Sequence, residues 1–266
     1  MVSRCAVIGN PVAHSLSPLI HQYFAKEAGN KLIYEKIQGH DTDFETQVIG
    51  FFKEGGKGLN VTLPFKERAF AMADDVTPRC LKAKSANTLW LKNEEKLCAD
   101  NTDGTGLIRD LSHHLSLIDK RVLLLGAGGA ARGIIEPLLA SGITKLTLIN
   151  RTKEKLFILK NDFPAIEIAD QDTLKARFDL IINATSASLT ASQNKLISAK
   201  ILQNQPYCYD LAYNLHKQTP FVAFARAHGC VADDGLGMLV EQAAEAFLIW
   251  HGFKPDTNTV LTALQR

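Results

Sequence analysis

Hydrophobic positions along the chain alternate between short, nearly continuous apolar runs and stretches with a helical period, the pattern of an α/β protein. Runs bounded by turn residues predict strands over 5–9, 33–37, 58–62, 88–91 and 96–99, and again over 122–125, 145–150, 178–183 and 207–211. The later runs are apolar at almost every position, as strands covered on both faces require, so a parallel sheet is expected there. Ser17-Pro18-Leu19-Ile20 predicts a helix with serine as cap and proline at its first position, ending near Gly29-Asn30. A second helix is predicted over 43–53, closed by Gly55-Gly56, and a third follows Asp103-Gly104-Thr105-Gly106 to about residue 115. Asn93-Glu94-Glu95-Lys96 lies between two β-like runs and predicts a hairpin turn. From Gly235 the chain is strongly helical, with Met238, Leu239, Ala243, Ala246, Phe247 and Trp250 on or near one apolar stripe, and this helix can return to the first domain.

One junction in this pattern carries chemistry. The run Val122-Leu123-Leu124-Leu125 leads into Gly126-Ala127-Gly128-Gly129-Ala130-Ala131, a buried strand, a tight turn and a helix start. The first glycine permits the turn, the second lets backbone N–H groups approach a pyrophosphate, and the small Ala131 lets the helix pack close to the strand. Pro137, farther along, is expected to bend that helix locally. Ordinary strand-to-helix connections also carry glycines, but here the second strand, 145–150, ends where a ribose would lie. At that end an acid would accept from the ribose 2′-OH of NAD. Asn150-Arg151-Thr152 instead presents a neutral amide, a guanidinium able to fork onto a 2′-phosphate, and a hydroxyl. The expected cofactor is therefore NADP, with Lys153 or Lys155 adding positive charge or simply forming a solvated helix face.

The expected architecture is a two-domain α/β fold with a cleft between the domains. An N-terminal α/β substrate domain with a mixed, mostly parallel sheet takes residues 1–103 plus 238–266, and a Rossmann-like NADP-binding domain takes 104–237. A formal net charge of +2 excludes the basic footprint of a nucleic-acid or anionic-membrane binder. The five cysteines are odd in number and scattered, without Cys-x-x-Cys or zinc spacing, so reduced thiols and no metal are expected. His113-His114 lack spaced carboxylate or thiol partners. The apolar residues after Arg4 are too few for a signal-peptide core and no run approaches a membrane span, so the protein is expected in the cytoplasm. Neither a Gly-x-Ser-x-Gly elbow nor a Walker loop is present, which leaves the hydrolase and kinase readings with little support.

A hydride-transfer site needs a proton donor or base beside the carbonyl it reduces. Lys66 follows Asn60-Val61-Thr62-Leu63-Pro64-Phe65, a strand end that delivers Asn, Thr and Lys into a turn; a lysine there supplies both a proton and a positive charge. The alternative is a surface lysine beside Glu67 and Arg68. In Asn101-Thr102-Asp103-Gly104, Asp103 either holds Lys66 in place or caps the following helix, and the two roles compete evenly. Ser15 and Ser17 in His14-Ser15-Leu16-Ser17-Pro18 place hydroxyls at a helix start, where a substrate carboxylate finds donors, although capping alone accounts for Ser17.

Taken in order, these clusters resemble the shikimate dehydrogenase family, the NADP-dependent enzymes of aromatic amino-acid biosynthesis. The matching segments are Gly9-Asn10-Pro11-Val12-Ala13-His14-Ser15-Leu16-Ser17-Pro18, Gly58-Leu59-Asn60-Val61-Thr62-Leu63-Pro64-Phe65-Lys66, Ala86-Asn87-Thr88, Asp100-Asn101-Thr102-Asp103-Gly104, 126–130, Asn150-Arg151-Thr152, Asn183-Ala184-Thr185-Ser186, Tyr209-Asp210-Leu211-Ala212-Tyr213 and 234–242. The resemblance implies reversible reduction of 3-dehydroshikimate to shikimate by NADPH. It implies that Ser15, Ser17 and Tyr213 hold the substrate carboxylate, and that Asn60, Thr62, Asn87, Asp103 and Gln242 surround the ring hydroxyls, with Lys66 as acid/base and Asp103 as its charged partner. Gly126, Ala127, Gly128, Gly129 and Ala130 would cradle the pyrophosphate, Asn150, Arg151, Thr152 and Lys155 the adenosine phosphate end, and Thr185, Leu211 and Gly235 the nicotinamide end. The chain departs from the family pattern at Ala187-Ser188, where glycine is common, and Leu211 stands where relatives often carry methionine. The partners implied are small molecules, with a monomer or homodimer as the acting species. Two other readings stand beside this one. A quinate/shikimate dehydrogenase branch shares the fold and the Lys/Asp pair but often accepts NAD, against which Arg151 argues. A non-catalytic NADP or metabolite sensor would have no need to keep Lys66 and Asp103 together.

Overall fold

The computed structural model describes residues 2–170, 174, 177–185 and 197–264. The chain divides into two units, Met1–Gly106 with Val240–Arg266, and Leu107–Leu239.

The first unit is built on six strands: β1 (Ser3–Gly9), β2 (Leu32–Gln38), β3 (Gly58–Val61), β4 (Asp75–Val76), β5 (Thr88–Lys92) and β6 (Lys96–Asp100), in the order β2-β1-β3-β5-β6-β4. β1 runs parallel to β2 and β3, β5 runs antiparallel to β3 and β6, and β4 runs parallel to β6. Successive side chains of a strand point to opposite faces, and β1 shows it. Ala6 and Ile8 pack with Phe44, Phe51 and Phe65 on one face, while Cys5 and Val7 pack with Tyr34, Ala246 and Trp250 on the other. The turn between β5 and β6 has positive φ at Asn93 (55°) and Glu94 (62°), the twist that an antiparallel hairpin selects. The first helices are α1 (Ser17–Glu27), α2 (Phe44–Lys53), α3 (Lys66–Ala71) and α4 (Pro78–Ala83).

Helix α5 (Asp103–Ser112) leads into the second unit. There β7 (Arg121–Leu125), β8 (Lys145–Ile149), β9 (Glu167–Ile168), β10 (Leu180–Asn183), β11 (Tyr207–Asp210) and β12 (Ala232–Asp234) form one parallel sheet in the order β12-β11-β10-β7-β8-β9. This is the doubly wound order in which chain direction across the sheet reverses between β7 and β10. Both faces are covered: Val122, Leu124, Leu146 and Ile182 enter one core, Leu123, Leu125, Ile149 and Ile181 the other. Around the sheet lie α6 (Gly129–Ala140), α7 (Lys153–Asp162) and α8 (Pro220–Ala227). Helix α9 (Leu236–His251) starts in this unit and continues in the first, and α10 (Thr257–Leu264) follows. The predicted α/β class, with one mixed and one parallel sheet, is the class observed.

Differences from the sequence expectation have local causes. β4, β9 and β12 are two or three residues long, too short to show a period, and α3, α4, α8 and α10 are short helices the pattern did not separate from loops. Ser17 does not cap α1. It is the first helical residue, and the Ser15 hydroxyl accepts from its N–H at 3.3 Å, so the turn before the helix supplies the bond expected of a cap. Pro137 sits inside α6, which runs unbroken from Gly129 to Ala140. All five cysteines are free and buried. No helix among the described residues is long and apolar enough to cross a membrane, and no group of side chains among them could hold a metal ion.

His21, fully buried on α1, is stacked on Tyr34 at 4.4 Å and on Trp250 at 5.4 Å. Among the described residues neither ring nitrogen meets a partner in hydrogen-bonding geometry, although the Asn60 side chain lies near enough to favour the protonated ring slightly. Burial, reinforced by repulsion from His251, pushes its pKa down to about 3, so the folded protein holds it neutral. The unfolded chain titrates near 6.5 and binds the proton that the native state refuses, so this stability is complete above about pH 6.5 and drains away as the pH falls toward 3. Urea unfolding from about pH 7 to pH 5 is expected to show an unfolding free energy that falls as the pH falls, by at most about 1.4 kcal/mol per pH unit from this residue. In His21→Phe the slope is expected to be shallower; an unchanged slope would contradict the assignment.

Candidate active site

Lys66 opens α3 directly after Leu63-Pro64-Phe65, and its carbonyl accepts from the Ala86 N–H at 2.8 Å. This tie fixes the start of the helix against the chain leading to β5. The Lys66 Nζ lies 2.6 Å from Asp103 Oδ2, with side chains only 11% and 6% exposed, so Lys66 is no surface lysine. The second Asp103 oxygen accepts from Asn87 Nδ2 at 2.9 Å. Both oxygens therefore face the polar cluster instead of capping α5, of which Asp103 is the first residue. A carboxylate and an ammonium so far removed from water are tolerable only when every remaining bond is satisfied, and here the supporting bonds are present.

Asn87 is the junction. Its Oδ1 accepts from the Thr102 N–H at 2.9 Å and the Thr88 hydroxyl at 2.9 Å, while its Nδ2 also reaches Thr102 Oγ1 at 2.9 Å and Gln242 Oε1 at 3.1 Å. Asn60, on β3, donates to the Asn87 carbonyl at 3.0 Å and accepts from the Tyr34 hydroxyl at 2.7 Å. Ser15 donates to Ser17 across 3.2 Å. Thr62 follows β3, half-buried, and lies against Gly9 so closely that a Cβ there would fall 2.2 Å from its Cγ2. The first unit thus joins Lys66, Asp103, Asn60, Asn87 and Gln242 in one hydrogen-bonded cluster. Tyr213 belongs to the second unit, half-buried beyond β11.

Sequence reasoning missed the support beneath Asp103. Arg79 grips Asp100 with a two-pronged ion pair, Nε to Oδ1 at 2.8 Å and Nη2 to Oδ2 at 2.5 Å, and also reaches Thr105 Oγ1 and Glu245 Oε1. Asp100 Oδ1 in turn accepts from the Asn101 N–H at 2.7 Å, so the turn carrying Asp103 hangs from this fork. The signal was an arginine next to a helix-opening proline and an aspartate ending an otherwise apolar strand.

In the second unit the glycine turn stands at the sheet's reversal point. Gly126 has φ +108°, and a Cβ on it would lie 3.0 Å from the Ala184 carbonyl oxygen and 3.2 Å from Thr185 Cγ2. The N-terminus of α6 has no side-chain cap, and a Cβ on Gly128 would meet nothing within 4 Å, so space opens before its first amides. Gly129 and Ala130 are half-exposed beside it and Ala127 is buried. Such a terminus suits a pyrophosphate. Thr152 caps α7 without a side-chain bond, leaving its hydroxyl available, and Asn150 Nδ2 donates to the Thr152 carbonyl at 2.9 Å. Arg151 is exposed and makes no ion pair among the described residues; Lys155 is likewise exposed, while Lys153 is paired with Asp170. A neutral amide, an unpaired guanidinium and a helix N-terminus form a donor set that fits a phosphomonoester.

Thr185 donates to Asn183 Oδ1 at 2.7 Å, Leu211 N–H to the Asn183 carbonyl at 2.8 Å, and Gly235 N–H to the Ala212 carbonyl at 3.0 Å. A Cβ on Gly235 would collide with the Leu211 carbonyl oxygen at 2.4 Å. Thr185, Leu211 and Gly235 therefore follow the carboxyl ends of β10, β11 and β12, where ligands bind on open parallel sheets. Ala187 and Ser188, where the chain departs from the family pattern, lie outside the described residues.

Fold and site together define a dinucleotide-binding α/β protein with a second domain carrying a buried lysine–carboxylate pair. Comparison with known proteins gives the family. Residues 7–89 match the shikimate dehydrogenase substrate binding domain, 110–213 the shikimate/quinate 5-dehydrogenase family and 235–265 the shikimate 5'-dehydrogenase C-terminal domain. A shikimate dehydrogenase (NADP(+)) of Legionella pneumophila strain Lens is 56% identical over 265 residues, covering 100% of this chain and 99% of its own. The crystal structure of an Ael1 enzyme from Pseudomonas putida superposes with a TM-score of 0.89 at 44% identity, covering 99% and 98% of the two chains. That of shikimate 5-dehydrogenase from Thermus thermophilus in complex with NADP(H) and shikimate gives 0.88 at 30% identity, covering 99% of each. The chain belongs to the shikimate dehydrogenase family.

Because Gly126 has positive φ and its missing Cβ faces a backbone carbonyl, Gly126→Ala is expected to destabilise the fold by about 1–3 kcal/mol. Denaturant titration checks this. The change Gly128→Ala, made into open space, is expected to cost less; equal losses would contradict the steric assignment.

Proposed function

We propose that the chain catalyses the reversible reduction of 3-dehydroshikimate to shikimate by NADPH, a step toward chorismate and the aromatic amino acids. The observation that carries the reading is the buried Lys66–Asp103 pair, whose lysine lies in the segment that matches the substrate binding domain of the family. When bound, NADPH supplies the hydride. Lys66 gives a proton from Nζ to the oxygen that becomes the hydroxyl, and takes it back in the oxidative direction. Asp103 holds the ammonium on line while negative charge grows on that oxygen. Ser15, Ser17 and Tyr213 bind the carboxylate of the substrate; Asn60, Thr62, Asn87 and Gln242 hold its ring hydroxyls.

In the second unit, the amides following Gly126 and Gly128 receive the pyrophosphate, and Asn150, Arg151, Thr152 and Lys155 the adenosine 2′-phosphate. Thr185, Leu211 and Gly235 line the nicotinamide end. Arg151 supplies the preference for NADP over NAD, since its guanidinium is exposed, makes no ion pair among the described residues and can fork onto a phosphate. The five unpaired thiols support action in the cytoplasm, and the near-balanced charge supports small molecules as the only partners, with a monomer or homodimer as the working species.

Two substitutions test the reading separately. Lys66→Ala is expected to lower kcat by roughly 10²-fold or more while NADP+ affinity, followed by fluorescence titration, stays as in the wild type. Near-native turnover would remove Lys66 from the role. Arg151→Ala is expected to raise KM for NADP+ by about 10- to 100-fold and leave KM for NAD+ unchanged; parallel changes in both would show that the guanidinium does not read the phosphate.

A further inference from the structure

Beneath the Lys66–Asp103 pair runs a chain of buried hydrogen bonds that can be oriented in only one way. It is anchored at two backbone groups. The Asn87 carbonyl can only accept, so the Asn60 nitrogen that meets it at 3.0 Å must be Nδ2, and Asn60 Oδ1 must be the atom receiving the Tyr34 O–H at 2.7 Å. The Thr102 N–H can only donate, so the Asn87 atom 2.9 Å away must be Oδ1, which turns Nδ2 toward Asp103. Between these anchors stands the Thr88 hydroxyl. It accepts from Asn60 Nδ2 at 3.3 Å and therefore has its own proton for Asn87 Oδ1 at 2.9 Å. Thr88 is fully buried and Tyr34 nearly so, and neither has been given a role in the reaction above.

We propose that Tyr34 and Thr88 are positioning residues: their hydroxyls lock the amides of Asn60 and Asn87 in the orientation that aims Asn87 Nδ2 at Asp103 and so holds the carboxylate on Lys66. This inference rests on the function proposed above. A second acceptor orientation of Asn87 would set its carbonyl oxygen against the Asp103 carboxylate, two acceptors face to face without a proton between them. In that flipped state the Thr88 proton would also lose its acceptor, Asn87 Oδ1. Burial pushes the Tyr34 phenol well above its ordinary range, so it stays a donor at every working pH. The chain also explains why a tyrosine and a threonine, each costly to bury unpaired, stand in the strand interior where apolar residues would otherwise pack.

The variants Thr88→Val, Thr88→Ser and Tyr34→Phe test it. Thr88→Val keeps the shape and leaves Asn60 Nδ2 its bond to the Asn87 carbonyl and Asn87 Oδ1 its bond to Thr102, so the fold is expected to persist. Steady-state shikimate oxidation is expected to show kcat lowered about tenfold in Thr88→Val and several-fold in Tyr34→Phe, with KM for NADP+ unchanged and near-native turnover restored in Thr88→Ser. The second readout does not depend on turnover: in NMR spectra the Asn87 side-chain amide protons are expected to exchange slowly with solvent in the wild type and in Thr88→Ser, and faster in Thr88→Val. Failure of the wild type to oxidise shikimate would overturn the function and leave the exchange pattern to decide the positioning role. Wild-type turnover and exchange in Thr88→Val, or equal losses in Thr88→Val and Thr88→Ser, would overturn the positioning role and leave the function standing.

Discussion

An ammonium and a carboxylate held 2.6 Å apart and almost out of water set the terms for the first unit. Removing either charge from solvent costs several kcal/mol, and their mutual attraction compensates only when the remaining lone pairs and protons are also satisfied. The surroundings of Lys66 and Asp103 read as the answer to that requirement. Asn87 takes the second carboxylate oxygen, Thr102 and Thr88 orient Asn87, and the Arg79–Asp100 fork holds the turn from which Asp103 projects. The sheet order places these residues together. β5 lies between β3 and β6, so the strand ends carrying Asn60, Thr88 and Asp100 are neighbours although the residues are far apart in sequence.

The second unit answers a different constraint, that of bringing backbone amides close to a large anion. Its parallel sheet reverses direction between β7 and β10, and the glycine turn after β7 sits at that reversal. Gly126 is there because its backbone has positive φ and because Ala184 and Thr185 leave no room for a side chain; Gly128 is there because the approach to the helix must stay open. The same logic recurs at Gly235, pressed against the Leu211 carbonyl. Arg151, just past the end of β8, is exposed and makes no ion pair among the described residues.

Much of this was legible in the sequence because the relevant patterns are local. The continuous apolar runs at 122–125 and 178–183 announced strands covered on both faces, and the glycine spacing announced the turn. The hairpin at Asn93-Glu94 was legible for the same reason. What stayed hidden depends on contacts between distant segments. Arg79 and Asp100 are far apart in the chain and unremarkable singly, and Tyr34 looks like one more aromatic residue in a strand until β3 brings Asn60 beneath its hydroxyl. Ser17 is the first residue of the helix instead of its cap, a shift of one position that the serine–proline pair does not resolve, and its N–H goes to the Ser15 hydroxyl two residues before it. Strands of two residues such as β4 and β9 carry no period at all and exist only because a neighbour offers them an edge. Asp103 illustrates the boundary between the two kinds of knowledge. Its place at a helix start was evident, but its choice between capping that helix and holding Lys66 is made by Asn87 and Lys66, residues the helix start cannot see.

A chain with this lysine–carboxylate pair and this guanidinium is expected to oxidise shikimate with NADP+. The direct measurement is a steady-state assay of the purified wild-type protein with shikimate and with quinate, each paired with NADP+ and with NAD+. The account predicts that shikimate with NADP+ gives a kcat/KM larger than every other pairing by orders of magnitude. Comparable efficiency with NAD+, a preference for quinate, or no turnover with any pairing would contradict it.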